Sequence, residues 1–332
     1  MAGLAPESGT RERPEASASG PFARSSRRSH WGTAVALTAV VLLLGVFAAF
    51  PLIVLPLAVL LLGFAPRQRR SWVALGALAW ALALVPGGGA QYLVSRGWAL
   101  LLGGAFLLAS LLRPRWGVFS RGLAAVAASL GVMGVWLAFG GRWERVDWAM
   151  TEHFRSIASL TAREFFGRFP DARWAADLSA IGGRMAEAQG VLFPALLALQ
   201  SLAALTLAWW LFSQSRRGRA LRSGVRPLRE FRFHDSLVWV LAAGLLLLVL
   251  PGGEWAARAG YNLLVFMVVL YALRGVAVFV FLARGAPTAT SLVLGALAAV
   301  FFYPLVFTAA LLVGLGDTWL DVRRRAVAAA RV

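Results

Sequence analysis

Residues 190–212 read GVLFPALLALQSLAALTLAWWLF, a run with no charged side chain. At about 1.5 Å per helical residue the run reaches about 34 Å, enough to cross a hydrocarbon core of about 30 Å. Three more apolar blocks follow: SLVWVLAAGLLLLVLPGGEW at 236–255, ARAGYNLLVFMVVLYALRGVAVFVFLARG at 257–285, and FFYPLVFTAALLVGLGDTWLDVRRR at 301–325. Arginine-rich or Gly/Pro breaks separate the blocks. The pattern predicts an all-α fold, a polytopic transmembrane helix bundle.

Composition carries that reading to the whole chain. Of 332 residues, 59% are hydrophobic, and the mean hydropathy is +0.71. A soluble domain cannot hide that much apolar surface. There is no cysteine, which excludes disulfides, thiol nucleophiles and zinc–thiolate sites. All 33 basic residues are arginine and the formal charge is +18. The arginines gather in loops between apolar blocks. The positive-inside rule and anionic lipid headgroups at Arg-rich cytoplasmic loops account for them better than nucleic acid does. The expected partners are therefore the lipid bilayer and other membrane subunits, with no nucleic acid. The expected location is the bacterial inner (plasma) membrane, multi-pass, with the N-terminus cytoplasmic.

In chain order, residues 1–30 form a disordered basic tail without a signal-peptide pattern. Residues 31–140 form an N-terminal membrane half, 141–190 an amphipathic helical insert, 191–316 a C-terminal membrane half and 317–332 a basic tail. The expected total is about 8–10 spans. The first block splits into short helices at 33–49 and 52–65, meeting at Phe50-Pro51, because proline disfavours α geometry in the residue before it. Further spans are expected at 72–85, 98–112 and 121–139. Residues 31–140 hold no Asp or Glu, which excludes a carboxylate relay or carboxylate metal site from this half.

The insert carries seven Arg and seven acidic residues over 141–189. Near-zero net charge fits the extracytoplasmic side. Trp143, Val146, Met150, Phe154, Ile157 and Leu160 recur at helical spacing, as do Trp174, Leu178, Ile181 and Met185 after Phe169-Pro170. A helical hairpin resting on the membrane surface or capping the bundle is expected, with a ligand-gating lid as the alternative and His153 a lone face residue. The loop at 213–235 has seven arginines against Glu230 and Asp235, the strongest inside marker. His234-Asp235 has no evident nucleophile beside it.

Polar side chains within spans are the candidate site. Gln200 lies in the sixth span, and Tyr261, Asn262, Tyr271 and Arg274 in the eighth, expected at 257–283. Arg274 sits ten residues, about 15 Å, from the Arg284 end, beyond easy snorkelling. A guanidinium at that depth needs compensation, from backbone carbonyls at a broken helix or from an anionic group on a ligand. The five residues together make a candidate ligand-binding polar cavity. No nucleophile–base pair, metal cluster or phosphate-binding loop is present, so no enzyme activity, catalytic residue, metal or cofactor is expected.

LFPALL after the insert, the basic loop ending in FRF before SLVW, LYALRGVAVFVF, and VGLGDTWLDVRRR together resemble the YybS-like family of bacterial membrane proteins, a domain of unknown function. Arg274-Gly275 departs from the neutral polar residue expected before that glycine. The layout is distantly similar to the S components of energy-coupling-factor transporters and to the rod-shape protein MreD. The resemblance implies a small-molecule-binding membrane subunit of S-component type. The alternative is a non-catalytic membrane scaffold for cell-envelope or assembly functions.

The arginine asymmetry generates a test of orientation. In the cysteine-free chain, a cysteine at Ser159 should react with an impermeant maleimide on intact cells, whereas one at Ser223 should not. The reverse pattern would invert the topology.

Overall fold

The computed structural model describes residues 34–64, 73, 90–168, 175–215, 228–282 and 302–329. The span expected at 72–85, the N-terminal tail and most of the arginine-rich loop lie outside the described residues. The helices are α1 (Ala34–Leu44), α2 (Ala49–Phe64), α3 (Ala90–Leu112), α4 (Val118–Phe139), α5 (Trp143–Arg168), α6 (Ala175–Ser213), α7 (Val238–Val249), α8 (Gly253–Leu282), α9 (Tyr303–Leu320) and α10 (Val322–Ala329). Short 3₁₀ turns at Leu228–Glu230 and Asp235–Leu237 precede α7. Four helices, α3, α4, α6 and α8, contain stretches long and apolar enough to cross a membrane. Four more are apolar but shorter: α1, α2, α7 with its 3₁₀ lead-in, and α9. Among the described residues there is no strand, and the fold is an all-α membrane bundle.

The bundle is built around α6, which supplies Phe193, Leu197, Leu202, Ala204, Leu205, Trp209 and Phe212 to the main core. α3 runs beside it in the same direction: the Trp98 indole donates to Ser201 Oγ at 3.0 Å, and Phe106 meets Trp209 edge-on at 5.8 Å. α4 runs the opposite way, with Arg121 over Trp209 and α5 then beginning where Trp143 stacks on Phe193.

α1 and α2 form a hairpin. Ala34 packs near Leu207 and Trp210, and Phe64 packs on Trp209 and Phe212, so both outer ends lie at the C-terminal end of α6. The turn falls at 45–48, where Gly45 adopts φ +54°, a left-handed conformation that glycine enters without strain. This corrects the expected turn at Phe50-Pro51. Pro51 stands in the first turn of α2, where its missing N–H has no intrahelical role.

No helix end falls at residue 190, where the insert is expected to meet the C-terminal membrane half. α6 runs unbroken for 39 residues, about 58 Å, across that position. Its apolar part, 191–212, accounts for about 33 Å. The remainder stands beyond the span as an antiparallel pair with α5, joined by Arg155–Glu187 at 3.3 Å. Met150 and Phe154 of the expected apolar face are buried, while Ile157, Leu160, Ile181 and Met185 are exposed. At the other end, α9 continues past 316 to Leu320, with Asp317 inside the bundle.

α8 runs alongside α6, with α7 and α9 packed antiparallel to it. α8 and α9 approach backbone to backbone. A Cβ on Gly275 would fall 1.8 Å from the Ala310 carbonyl oxygen, and one on Gly314 1.9 Å from that of Tyr271. Small residues that let backbones touch are the usual means of helix association in lipid, where no hydrophobic gain is available. Gly275→Ala and Gly314→Ala should each lower the melting temperature of the detergent-purified protein, at a cost of at least about 1–3 kcal/mol. Unchanged melting would show that the two helices do not approach this closely.

Candidate functional site

The candidate polar residues separate into two kinds, according to what they bond. Pro194 has no N–H to give the Gly190 carbonyl, so α6 is open at that point. α8 repairs it. Arg258 Nη2 donates to Gly190 O at 3.0 Å, Asn262 Nδ2 donates to Val191 O at 3.0 Å, and Ala195 N–H donates to Asn262 Oδ1 at 2.9 Å. Arg258 also pairs with Asp147 of α5 and lies over the Trp143 ring at 5.4 Å. Gln200, fully buried, does the same for the α1–α2 turn. Its Nε2 donates to the Val41 and Phe47 carbonyls, both at 2.9 Å, and its Oε1 accepts from Phe47 N–H at 3.1 Å. Backbone polar groups exposed by a break must be answered inside the protein, because lipid offers no partner. Tyr261 is exposed on α8. These three residues have separate surroundings; only Tyr271 and Arg274, one turn apart on α8, are brought together.

Arg274 is completely buried, and its partners are carboxylates of the chain itself. Nε donates to Asp317 Oδ2 at 3.0 Å, Nη1 to Asp235 Oδ1 at 2.8 Å, and Nη2 to the Asp317 backbone oxygen at 3.1 Å. The Phe233 ring lies 5.3 Å from its guanidinium carbon, and Tyr271 meets Phe233 edge-on at 5.2 Å. A backbone carbonyl therefore supplies part of the expected compensation and two aspartates the rest.

Local structure explains how those carboxylates arrive. Arginine side chains on a helix lean toward its N-terminus, so Arg274 reaches back along α8 to the level of Asp317 on antiparallel α9. α9 ends at Asp321 in the left-handed conformation, φ 43°, and the chain turns directly into α10. That turn brings Arg323 Nη2 to Asp317 Oδ2 at 2.9 Å, and Arg323 Nη1 to the carbonyls of Phe231 at 3.1 Å and Arg229 at 3.2 Å. The segment 228–235 folds inward, with Phe231 and Phe233 against Phe119 of α4. His234 caps the turn at Asp235–Leu237 by accepting from Ser236 N–H, which leaves Asp235 facing Arg274. Toward the surface, Arg232 and Arg324 both pair with Asp321 at 3.2 Å.

After residue 190 the chain has five acidic residues. Three of them, Asp235, Asp317 and Asp321, enter this network, and Glu230 lies at its exposed rim beside Arg229. The buried Asp317 accepts from two arginines through Oδ2. Its Oδ1 is buried without a hydrogen-bond partner, and the Tyr271 and Thr318 hydroxyls are buried close to each other. Asp317, Asp235 and Arg323 lie outside the candidate set read from the sequence; the scarcity of acids after residue 190 is the signal that could have found the two aspartates. His153 is half-buried against the α1–α2 turn. Burial holds its imidazole below the usual value, partly offset by a hydrogen bond with the Gly45 backbone. Among the described residues no three His, Asp or Glu side chains converge as a metal site.

Breaking a buried ion pair strands the remaining charge, at a cost of about 3–5 kcal/mol. Arg274→Gln and Asp317→Asn should each lower the melting temperature of the purified protein. The double variant should lose less than the sum of the two, a coupling of about 0.5–3 kcal/mol. Strictly additive losses would show that the two side chains are not partners.

No curated protein and no solved structure matches the chain. A family model does, over residues 32–318, a stretch running from the α1–α2 hairpin through the Arg274–Asp317 pair. The chain belongs to the family described as predicted membrane protein DUF2232.

Proposed function

We infer that the protein is a non-catalytic membrane scaffold for cell-envelope or assembly functions, in the plasma membrane with its N-terminus in the cytoplasm. One observation carries the reading: the buried guanidinium that a ligand anion would need is already occupied by Asp317 and Asp235. A substrate-binding subunit of S-component type needs a polar side chain turned toward an open cavity. Gln200 and Asn262 instead bond the protein's own backbone. Two faces are left for partners. On one side stands the α5–α6 pair with exposed Ile157, Leu160, Ile181 and Met185. At the opposite end lie the arginine-rich segments around Arg229, Arg232 and Arg324. The layout likeness to MreD points the same way, as analogy alone.

Native mass spectrometry of the full chain released from its own membrane tests this. The expected spectrum has the protein alone, with phospholipid or with another polypeptide, and no water-soluble small molecule in stoichiometric amount. A one-to-one adduct of a water-soluble molecule, with a mass that no phospholipid accounts for and that survives detergent exchange, would overturn the scaffold reading in favour of the substrate-binding one.

A further inference from the structure

Among the described residues Arg121 is the second buried arginine, and it lacks what Arg274 has. It is 3% exposed, in the first full turn of α4. Its guanidinium lies 4.5 Å from the centre of the Trp209 ring. It forms no ion pair or hydrogen bond with the described residues, and its Nε and Nη2 are buried without a partner. No carboxylate is near in sequence, since 31–140 contains none. A cation–π contact recovers only part of the hydration a guanidinium loses on burial, because the N–H donors in its plane stay unanswered.

The backbone around Arg121 has the same deficit. α4 starts after Gly117, which makes no side-chain cap, and its first turn holds no acidic residue. The N–H groups of Val118, Phe119 and Ser120 therefore point out of the helix end unbonded, with the positive pole of the helix behind them. Arg121 leans over this same turn, as helical side chains do. Arg113 and Arg115 stand exposed on the turn just before it. Exposed Trp116 belongs with the aromatic residues that mark the headgroup level of a membrane. The chain thus gathers unpaired donors and positive charge at the depth where lipid phosphates lie.

We propose that the N-terminal turn of α4, with Arg121, is a binding site for the phosphate of an anionic phospholipid headgroup. The phosphate oxygens accept from Arg121 and the α4 amides, and Arg113 and Arg115 form the rim. The site is separate from the Arg274 network, whose arginines already have carboxylates.

Native mass spectrometry and thermal melting of the full chain in detergent test it, with phosphatidylglycerol, phosphatidylcholine or sodium phosphate added. The wild type should retain one phosphatidylglycerol about tenfold better than Arg121→Gln, the scale of one charge-assisted hydrogen bond. Arg121→Lys should fall between. Ser120→Glu, at an exposed position in the same turn, supplies the missing anion from the chain. It should keep the fold and lose the response to phosphatidylglycerol, and it decides the matter if Arg121→Gln fails to fold. Equal retention by the wild type and Ser120→Glu would overturn the proposal. So would a wild type that is stabilised by sodium phosphate alone and does not distinguish phosphatidylglycerol from phosphatidylcholine, since the ligand would then be a soluble phosphate.

Discussion

A guanidinium sealed in an apolar bundle has to be answered by an anion, and Asp317 answers Arg274. Much of the architecture at that end follows from this pair. α9 must run antiparallel to α8 and close enough for a carboxylate to reach, which the Gly275 and Gly314 contacts allow. The chain must then turn at Asp321 so that Arg323 can share Asp317, and the segment before α7 must fold inward to bring Asp235. Such a pair adds little net stability over apolar side chains of equal volume. What it does here is fix register: any slide of α8 along α9 strands a charge in lipid or protein interior.

Gln200 and Asn262, two of the other candidates, serve the backbone. Proline at 194 and the turn at 45–48 each leave main-chain groups unpaired, and each is mended by a side chain from a different helix. The repair explains how α6 passes through Pro194 without ending. It also explains why Gln200 and Asn262 look like ligand-binding residues in one dimension. A polar residue alone in a span signals an unmet hydrogen bond nearby, and the unmet group here belongs to the protein.

Much of the fold was legible in the sequence, because length and hydropathy alone decide which runs suit a bilayer. α3, α4, α7 and α8 lie close to where the apolar runs put them. The need for a partner at Arg274 was legible too, from depth. The partner was not, because Asp317 and Asp235 are 43 and 39 residues away. Asp317 also sits in a stretch that reads as the start of a basic tail. The α1–α2 turn was misplaced for a local reason: Phe50-Pro51 is a strong turn signal, yet a helix start tolerates proline equally well. Ile181 and Met185 show the limit of periodicity, which finds an apolar face but cannot say what covers it.

The bond between Gln200 and the α1–α2 turn also sets an order of assembly. Phe47 and Gln200 are separated by 153 residues. At roughly 5–20 residues per second, a ribosome makes α1 and α2 some 8–30 s before Gln200 exists. During that interval the hairpin enters the membrane with the amide and carbonyls of its tip unmet. It settles only when the sixth helix arrives, so the N-terminal segment waits on a residue in the second half of the chain. The tip of the first hairpin is therefore completed by a residue that emerges long after the hairpin itself.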